Sequence, residues 1–374
     1  MNIMVVGGGV VGLSAALVCA KAGHSVRMFD PNGFSPVEPC GEIEPRVWAL
    51  GPQSTALLSR LNAWRDDPRV CAYQSMRVIY QSSDAQVRFS DPHLGHLVEA
   101  NWIRCRLLDA LHSLSVEVST DRVLEISTKG LVRLESGDEM TCDLALFAEG
   151  KEAATARASG FERIDAGYHQ QAVVGTLACE LPHHGEAFQS FTTRGPLALL
   201  PVAATESGHR VSLVWSMRSV ASTECQAMAV SDLEALMTEA SESVRGALRF
   251  VDAPVWISLS QHYLKQDARG CCLAIGDTAH GILPLAGLGA NLGFADVAAL
   301  EQVLNVSPSA DGAQVARTVA RMRRLPVQAV MTAMGIFSDG FHTDSPVAQL
   351  ARSFAFRTAN RHRQIRQLIQ ELAG

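Results

Sequence analysis

Short β-branched runs and helix-spaced stretches succeed one another along this chain. Residues 3–6 form a buried-strand pattern, residues 13–22 have helical composition, and residues 25–29 read as a second strand ending at Asp30. Together they predict a βαβ unit. Residues 31–45, rich in Pro, Gly and Glu, read as a loop that delivers Arg46 to a helix-like stretch at 52–64. Residues 76–80 and 87–89 predict strands around a turn, an insertion outside the first sheet. Residues 102–114 have helical spacing, and 122–126, 131–134 and 143–147 predict a meander that returns to the first sheet. From 161 to 262 the pattern is mostly strand-like, most clearly at 172–177, 198–200 and 211–216. Residues 271–275 supply a last buried strand, and the chain after Asn291 is helix-like.

The βαβ unit carries Gly7, Gly9 and Gly12 in G-x-G-x-x-G spacing between strand and helix. Gly7 permits the tight turn and Gly9 lets backbone approach a pyrophosphate. Gly12 starts a helix whose N-terminal amides favour phosphate charge. Asp30, about twenty residues on, is placed to accept from a ribose hydroxyl. A second signature lies far downstream: Gly276-Asp277 at the tip of the last strand, then Pro284, Gly287, Gly289 and Asn291. Asp277 is placed to hold a polyol hydroxyl, and ribitol in FAD offers one. Pro284, Gly287 and Gly289 make a turn free of bulky side chains, against which a flat ring can lie. The helix opening at Asn291 would stabilise negative charge on the ring's pyrimidine edge. A nicotinamide dehydrogenase has no use for this second segment, so the pair predicts non-covalent FAD.

Composition narrows the alternatives. With 374 residues, 47% of them hydrophobic, the chain buries a large core. The formal charge of −6 with scattered Lys and Arg argues against a nucleic-acid partner. Nine cysteines without a C-x-x-C pair indicate neither a metal site nor a secreted disulfide framework, and imply a reducing compartment. Cys271-Cys272 reads as core packing, and His169, His183 and His184 as surface or packing residues. The apolar run at 5–20 lacks a basic flank and reads as strand plus helix rather than a signal peptide. No apolar run approaches the ~18 residues of a membrane span, so membrane contact is expected to be peripheral.

The two glycine segments, Arg46-Val47-Trp48-Ala49-Leu50, residues 168–174, the run 191–201 ending Leu199-Leu200-Pro201, and residues 212–216 resemble the class A flavoprotein monooxygenases. Within that class they resemble the ubiquinone-biosynthesis hydroxylases, over nearly the whole chain. The resemblance implies an α/β fold like that of p-hydroxybenzoate hydroxylase: a Rossmann-like FAD-binding domain (1–70, 97–160, 263–330), a mixed or antiparallel substrate sheet (71–96, 161–262) and a C-terminal helical segment (331–374). It implies NAD(P)H as a transient reductant, O₂ as co-substrate and a hydrophobic, polyprenylated phenol as substrate. The expected location is the cytoplasm, with peripheral contact at the inner membrane or within a biosynthetic complex. Arg46 would lie in the loop over the flavin, Gly287, Gly289 and Asn291 would face its ring, and Leu199, Leu200 and Pro201 would lie on the substrate side. No catalytic side chain is assigned.

The family's Ala-Asp-Gly is Ala148-Glu149-Gly150 here, a following Ser is Ala153, Arg157 stands one place late, and the glutamine between the late glycines is Leu288. Two alternatives therefore stand beside the main reading. One is a hydroxylase of a small soluble aromatic, the other a flavin-binding structural subunit of a quinone-biosynthesis complex. A basic run near the C-terminus, Arg357, Arg361, Arg363 and Arg366, is a solvated face or a contact with anionic lipid or a partner.

Overall fold

A computed structural model describes residues 1–81, 86–165, 170–282 and 288–342, with the side chains of 93, 288 and 333–342 excepted. Pro284, Gly287, His169 and the basic run at 357–366 lie outside the described residues. The chain begins with β1 (Asn2–Val6), α1 (Val10–Lys21) and β2 (Ser25–Phe29), then β3 (Val47–Leu50) and α2 (Pro52–Arg60). A long hairpin, β4 (Cys71–Tyr80) and β5 (Gln86–Glu99), leads into α3 (Ala100–His112) and β6 (Val116–Ser119). The meander β7 (Val123–Ile126), β8 (Leu131–Leu134) and β9 (Glu139–Thr141) precedes β10 (Leu144–Phe147), α4 (Ala154–Ala158) and β11 (Arg163–Asp165). Next come β12 (Gln170–Cys179), β13 (Glu186–Thr192), β14 (Gly195–Pro201), β15 (Arg210–Arg218), α5 (Ser219–Gln226) and α6 (Val230–Ala240). Short strands β16 (Leu248–Phe250), β17 (Val255–Leu259), β18 (His262–Leu264), β19 (Ala268–Arg269), β20 (Cys272–Ala274) and β21 (His280–Gly281) lead to α7 (Leu288–Val306) and α8 (Gly312–His342).

The first sheet has the order β19-β20-β10-β1-β2-β6, parallel from β20 through β6. Its central strands are apolar on both faces because both are covered. On one face α1, α3 and α7 bury Leu13, Leu17, Trp102, Ile103, Phe294 and Leu300. On the other, the meander and α4 bury Phe147, Phe161, Val132 and Ile126. Cys142, Cys271 and Cys272 sit in that second layer as free thiols, the packing role expected of the adjacent pair.

The second sheet, nine-stranded, runs β16-β12-β15-β14-β13-β4-β5-β3, with β17 beside β12. β3, from the segment that follows the first βαβ unit, pairs with β5 of this sheet, so residues 47–50 stand at the seam of the two sheets. Helices α5 and α6 interrupt a segment that the sequence reads as mostly strand-like. Leu233, Met237 and Ala240 recur at helical spacing and seal one face of the sheet against Phe188, Leu199, Leu213 and Trp215. No helix among the described residues is long and apolar enough to cross a membrane.

Candidate active site

The glycine turn after β1 is dictated by close backbone approach. Gly7 has φ +110°, and a Cβ there would stand 2.2 Å from the Ala148 carbonyl oxygen at the end of β10. A Cβ on Gly12 would stand 2.0 Å from the Gly7 oxygen. Gly9 differs, because a Cβ there meets nothing within 4 Å. The space over Gly9 faces the first turn of α1, whose N-cap makes no side-chain hydrogen bond. Bare amides beside open space are what a pyrophosphate requires.

Asp30, half-buried at the end of β2, accepts from the Gly8 amide at 2.5 Å and from the Asn32 amide at 2.8 Å. Its carboxylate thus shapes the glycine turn and keeps further lone pairs for a ribose. Arg104 of α3, which the sequence reading does not single out, donates to the oxygens of Ser35 (2.7 Å), Gly33 (2.9 Å) and Gly8 (3.4 Å). It brings a cation and a brace to the phosphate end. No local motif announces it, because its partners are backbone carbonyls 69 or more residues away.

The downstream signature closes the same cleft from the other side. Gly276 has φ +60°, and a Cβ there would lie 3.1 Å from Val11 of α1; a Cβ on Gly293 of α7 would lie 2.6 Å from the same side chain. The two segments therefore meet. Asp277 is exposed, and its carboxylate has no partner among the described residues, while its main-chain oxygen accepts from His262 Nε2 at 2.8 Å. Helix α7 opens at Leu288, three residues before the position expected from Asn291, so Gly289 lies in its first turn with nothing within 4 Å of a Cβ.

Asn291 does not face that open space. Its Oδ1 accepts from the Gly51 amide (3.0 Å) and Ser54 Oγ (2.6 Å), and its Nδ2 donates to the Ala49 oxygen (2.8 Å). It clamps α7 to β3 and α2. Arg46 is exposed before β3, its guanidinium 5.3 Å from the Trp48 ring centroid. Glu149 accepts from the amides of Thr155 (3.0 Å) and Ala156 (2.9 Å), capping α4 across Ala153, a residue at φ 41°.

Beneath the Gly276 turn lies a buried charged cluster. Asp296 of α7, 2% exposed, accepts from the Gly276 amide and His280 Nε2, both at 2.8 Å, and from Arg323 Nε of α8 at 2.7 Å. Burial works against charge on His280, but Asp296 outweighs it and holds the imidazole pKa above its ordinary value. Burial likewise opposes charge on Asp296, and His280 with Arg323 reverses it, leaving that carboxyl below the usual range. His280 is thus a structural hydrogen-bonding residue, as its position after the turn allows. Asp267, also facing His280 and Asp296, is pushed up to about 6 by burial.

The substrate-side candidates divide by strand alternation. Leu200 joins Ile43, Ala49, Leu97, Ala187 and Val202 on the sheet face that meets β3, with Tyr73, Met76 and Val214 at its border. Leu199 points the other way, into the core under α5 and α6, and Pro201 shares its parity on β14. Of the three, only Leu200 lies on the face turned to the seam, as strand alternation requires. A strap at residues 41–44 crosses that face. Arg69 donates to the oxygens of Gly41 and Glu42 (both 3.1 Å) and Thr176 Oγ1 to that of Ile43 (2.8 Å). Arg210 grips Glu42 (2.8 and 2.9 Å) and Arg69 grips Glu99 (2.7 Å at both oxygens), so both arginines near the apolar face are neutralised.

The residues present fit FAD: an open glycine turn, the Asp30 acid at the end of β2, an Asp277 carboxylate without a partner among the described residues, and a helix start with Gly289 in its first turn. Among the described residues no cluster suits a metal ion. Comparison with known proteins agrees with that assignment. The FAD binding domain family matches residues 115–333. The chain is 27% identical to Escherichia coli 3-demethoxyubiquinol 3-hydroxylase over 96% of this chain and 95% of that protein. It is 28% identical to the mouse mitochondrial ubiquinone biosynthesis monooxygenase COQ6 over 82% and 76% respectively. Its fold matches Klebsiella pneumoniae HpxO, solved with FAD and uric acid, with a TM-score of 0.75 at 17% identity, covering 100% of this chain and 96% of that one. The chain belongs to the FAD-binding-domain family of flavin-dependent monooxygenases.

Proposed function

We propose that the protein hydroxylates the aromatic ring of a polyprenylated phenol in ubiquinone biosynthesis. A ring C–H becomes C–OH with one oxygen atom of O₂, the other leaves as water, and NAD(P)H supplies the two electrons. When bound, FAD supplies the O₂-activating redox chemistry. The protein's residues bind, orient and exclude water. The α1 amides and Gly9 would hold the pyrophosphate, Asp30 the adenosine ribose and Asp277 the ribityl chain. The first turn of α7 would face the pyrimidine edge, where a helix N-terminus stabilises developing negative charge by about 0.3–1 kcal/mol.

The observation that carries the substrate class is the face around Leu200, apolar from Ile43 to Val202 and bordered by Arg69 and Arg210, both paired with carboxylates, while the neighbouring Arg46 is turned onto the Trp48 ring. A small aromatic acid would need a free cation there. A neutral phenol with an isoprenoid tail needs apolar surface, which also keeps water from the reacting ring. The names of the relatives in E. coli and mouse support the same pathway. The test is turnover of the FAD-loaded protein with a short-chain prenylphenol under NADH or NADPH. Hydroxylated product should form in step with nicotinamide oxidation. Oxidation that releases only hydrogen peroxide, with and without the phenol, overturns the reading.

A further inference from the structure

We propose that the solvent face of α8 docks on an anionic lipid bilayer. The inward face of this helix buries Val315, Ala316, Val319, Val327 and Met331. Arg317, Arg321 and Arg324 recur at i, i+4 and i+7 on one exposed flank. Met322, Leu325 and Ala329 recur at i, i+3 and i+7 on the adjoining flank, with Leu325 74% exposed. No Asp or Glu occurs between Asp311 and Asp339. Arg323, on the inward side, is committed to Asp296, whereas Arg317, Arg321 and Arg324 form no ion pair among the described residues.

Parallel basic and apolar flanks on one helix are what lying in a headgroup layer requires, with leucine entering the acyl boundary and arginines meeting anionic lipid. Charge disfavours the other occupants. Residues 343–374 carry five arginines against two acids, a poor charge match for the basic flank of α8. A second copy would bring the same basic flank. The Arg323–Asp296 pair fixes the docked helix directly to the turn that presents Asp277, so a bilayer met by α8 lies against the flavin-binding framework.

This inference rests on the lipid-borne substrate reading for the reason a bilayer is met, but its test needs no turnover, so either can fail alone. FAD-loaded full-length protein is sedimented with vesicles of phosphatidylcholine, with and without phosphatidylglycerol. Partition should require the anionic lipid and weaken with salt. Each arginine removed should lower it about fivefold, so R317Q/R321Q should lose about 25-fold. L325Q should lose severalfold, with flavin content unchanged in both variants as the check on folding. Parent protein that ignores anionic vesicles overturns the proposal. So does R317Q/R321Q binding like the parent, including the case where deletion of residues 343–374 alone abolishes binding.

Discussion

Asp296→Ala attacks the framework without touching a ligand. The carboxylate holds three donors, Gly276 N, His280 Nε2 and Arg323 Nε, at 2.7–2.8 Å in a site where Asp296 itself is 2% exposed. Breaking a buried ion pair by removing one partner costs about 3–5 kcal/mol. The Arg323 side chain, 16% exposed, can rehydrate in part, which places this loss near about 3 kcal/mol. The orphaned Gly276 amide adds about 1–3 kcal/mol. Because the groups share one site the losses overlap, and about 4 kcal/mol in total is expected. Asp296→Asn keeps an acceptor for Gly276 and should lose about half as much. Urea unfolding of the FAD-loaded protein reads the stability, and flavin absorbance after gel filtration reads the Asp277 turn. A loss below about 1 kcal/mol for Asp296→Ala, or wild-type flavin retention in a measurably destabilised variant, would refute the reasoning.

Gly9→Ala should fold normally, because its Cβ meets no protein atom, yet lose flavin affinity, whereas Gly12→Ala, with a Cβ 2.0 Å from the Gly7 oxygen, should fold poorly; calorimetric FAD titration of Gly9→Ala at wild-type affinity would remove the pyrophosphate from this turn. Asp277→Ala should weaken FAD retention by about 1.5–3 kcal/mol, read as flavin content after gel filtration, with unchanged retention the contrary result. Asp267, raised from 3.8 to about 6, makes the folded state bind an extra proton in that window, so stability falls as pH rises through it, by at most about 3 kcal/mol. His280, also raised, stabilises fully below pH 6.5 and loses that contribution as pH rises through its folded value. Asp267→Asn should therefore gain stability at pH 8 and none at pH 3.5 in urea titrations; equal effects at both pH values would exclude the burial account.

The βαβ unit was legible because its signals are local. Strand, glycines, helix and Asp30 occupy residues 2–30, and the steric demands on Gly7 and Gly12 are met by atoms the motif itself implies. Of the downstream segment, the described glycines are legible for the same reason: Gly276 has a φ of +60°, and a Cβ on Gly289 would meet nothing within 4 Å. Helices α5 and α6 were missed although Leu233, Met237 and Ala240 carry the spacing, because the strand-rich surroundings set the expectation for the whole segment. The C-terminal pattern reads as helix, but the break at residues 307–311 that turns it into α7 and α8 rests on a short loop with Pro308 and with Asp311, whose carboxylate accepts from the Gln314 amide.

What the sequence could not yield is which side of an element a residue faces and which distant group it meets. Asn291 sits where a ring contact is expected, yet α2 and β3 claim its amide from some 240 residues away. Leu199 and Leu200 are indistinguishable in composition and differ only in strand parity, which β14 acquires from its register with β13 and β15. Arg104 and Arg323 carry no motif, since each is defined by partners on other elements: three carbonyls around the first glycine turn, one carboxylate beneath the second. The two arginines do corresponding work at the two ends of one cleft. Local sequence encodes the two glycine turns, and long-range contacts that only folding assembles, Arg104 on three carbonyls and Arg323 on Asp296, hold those turns in place.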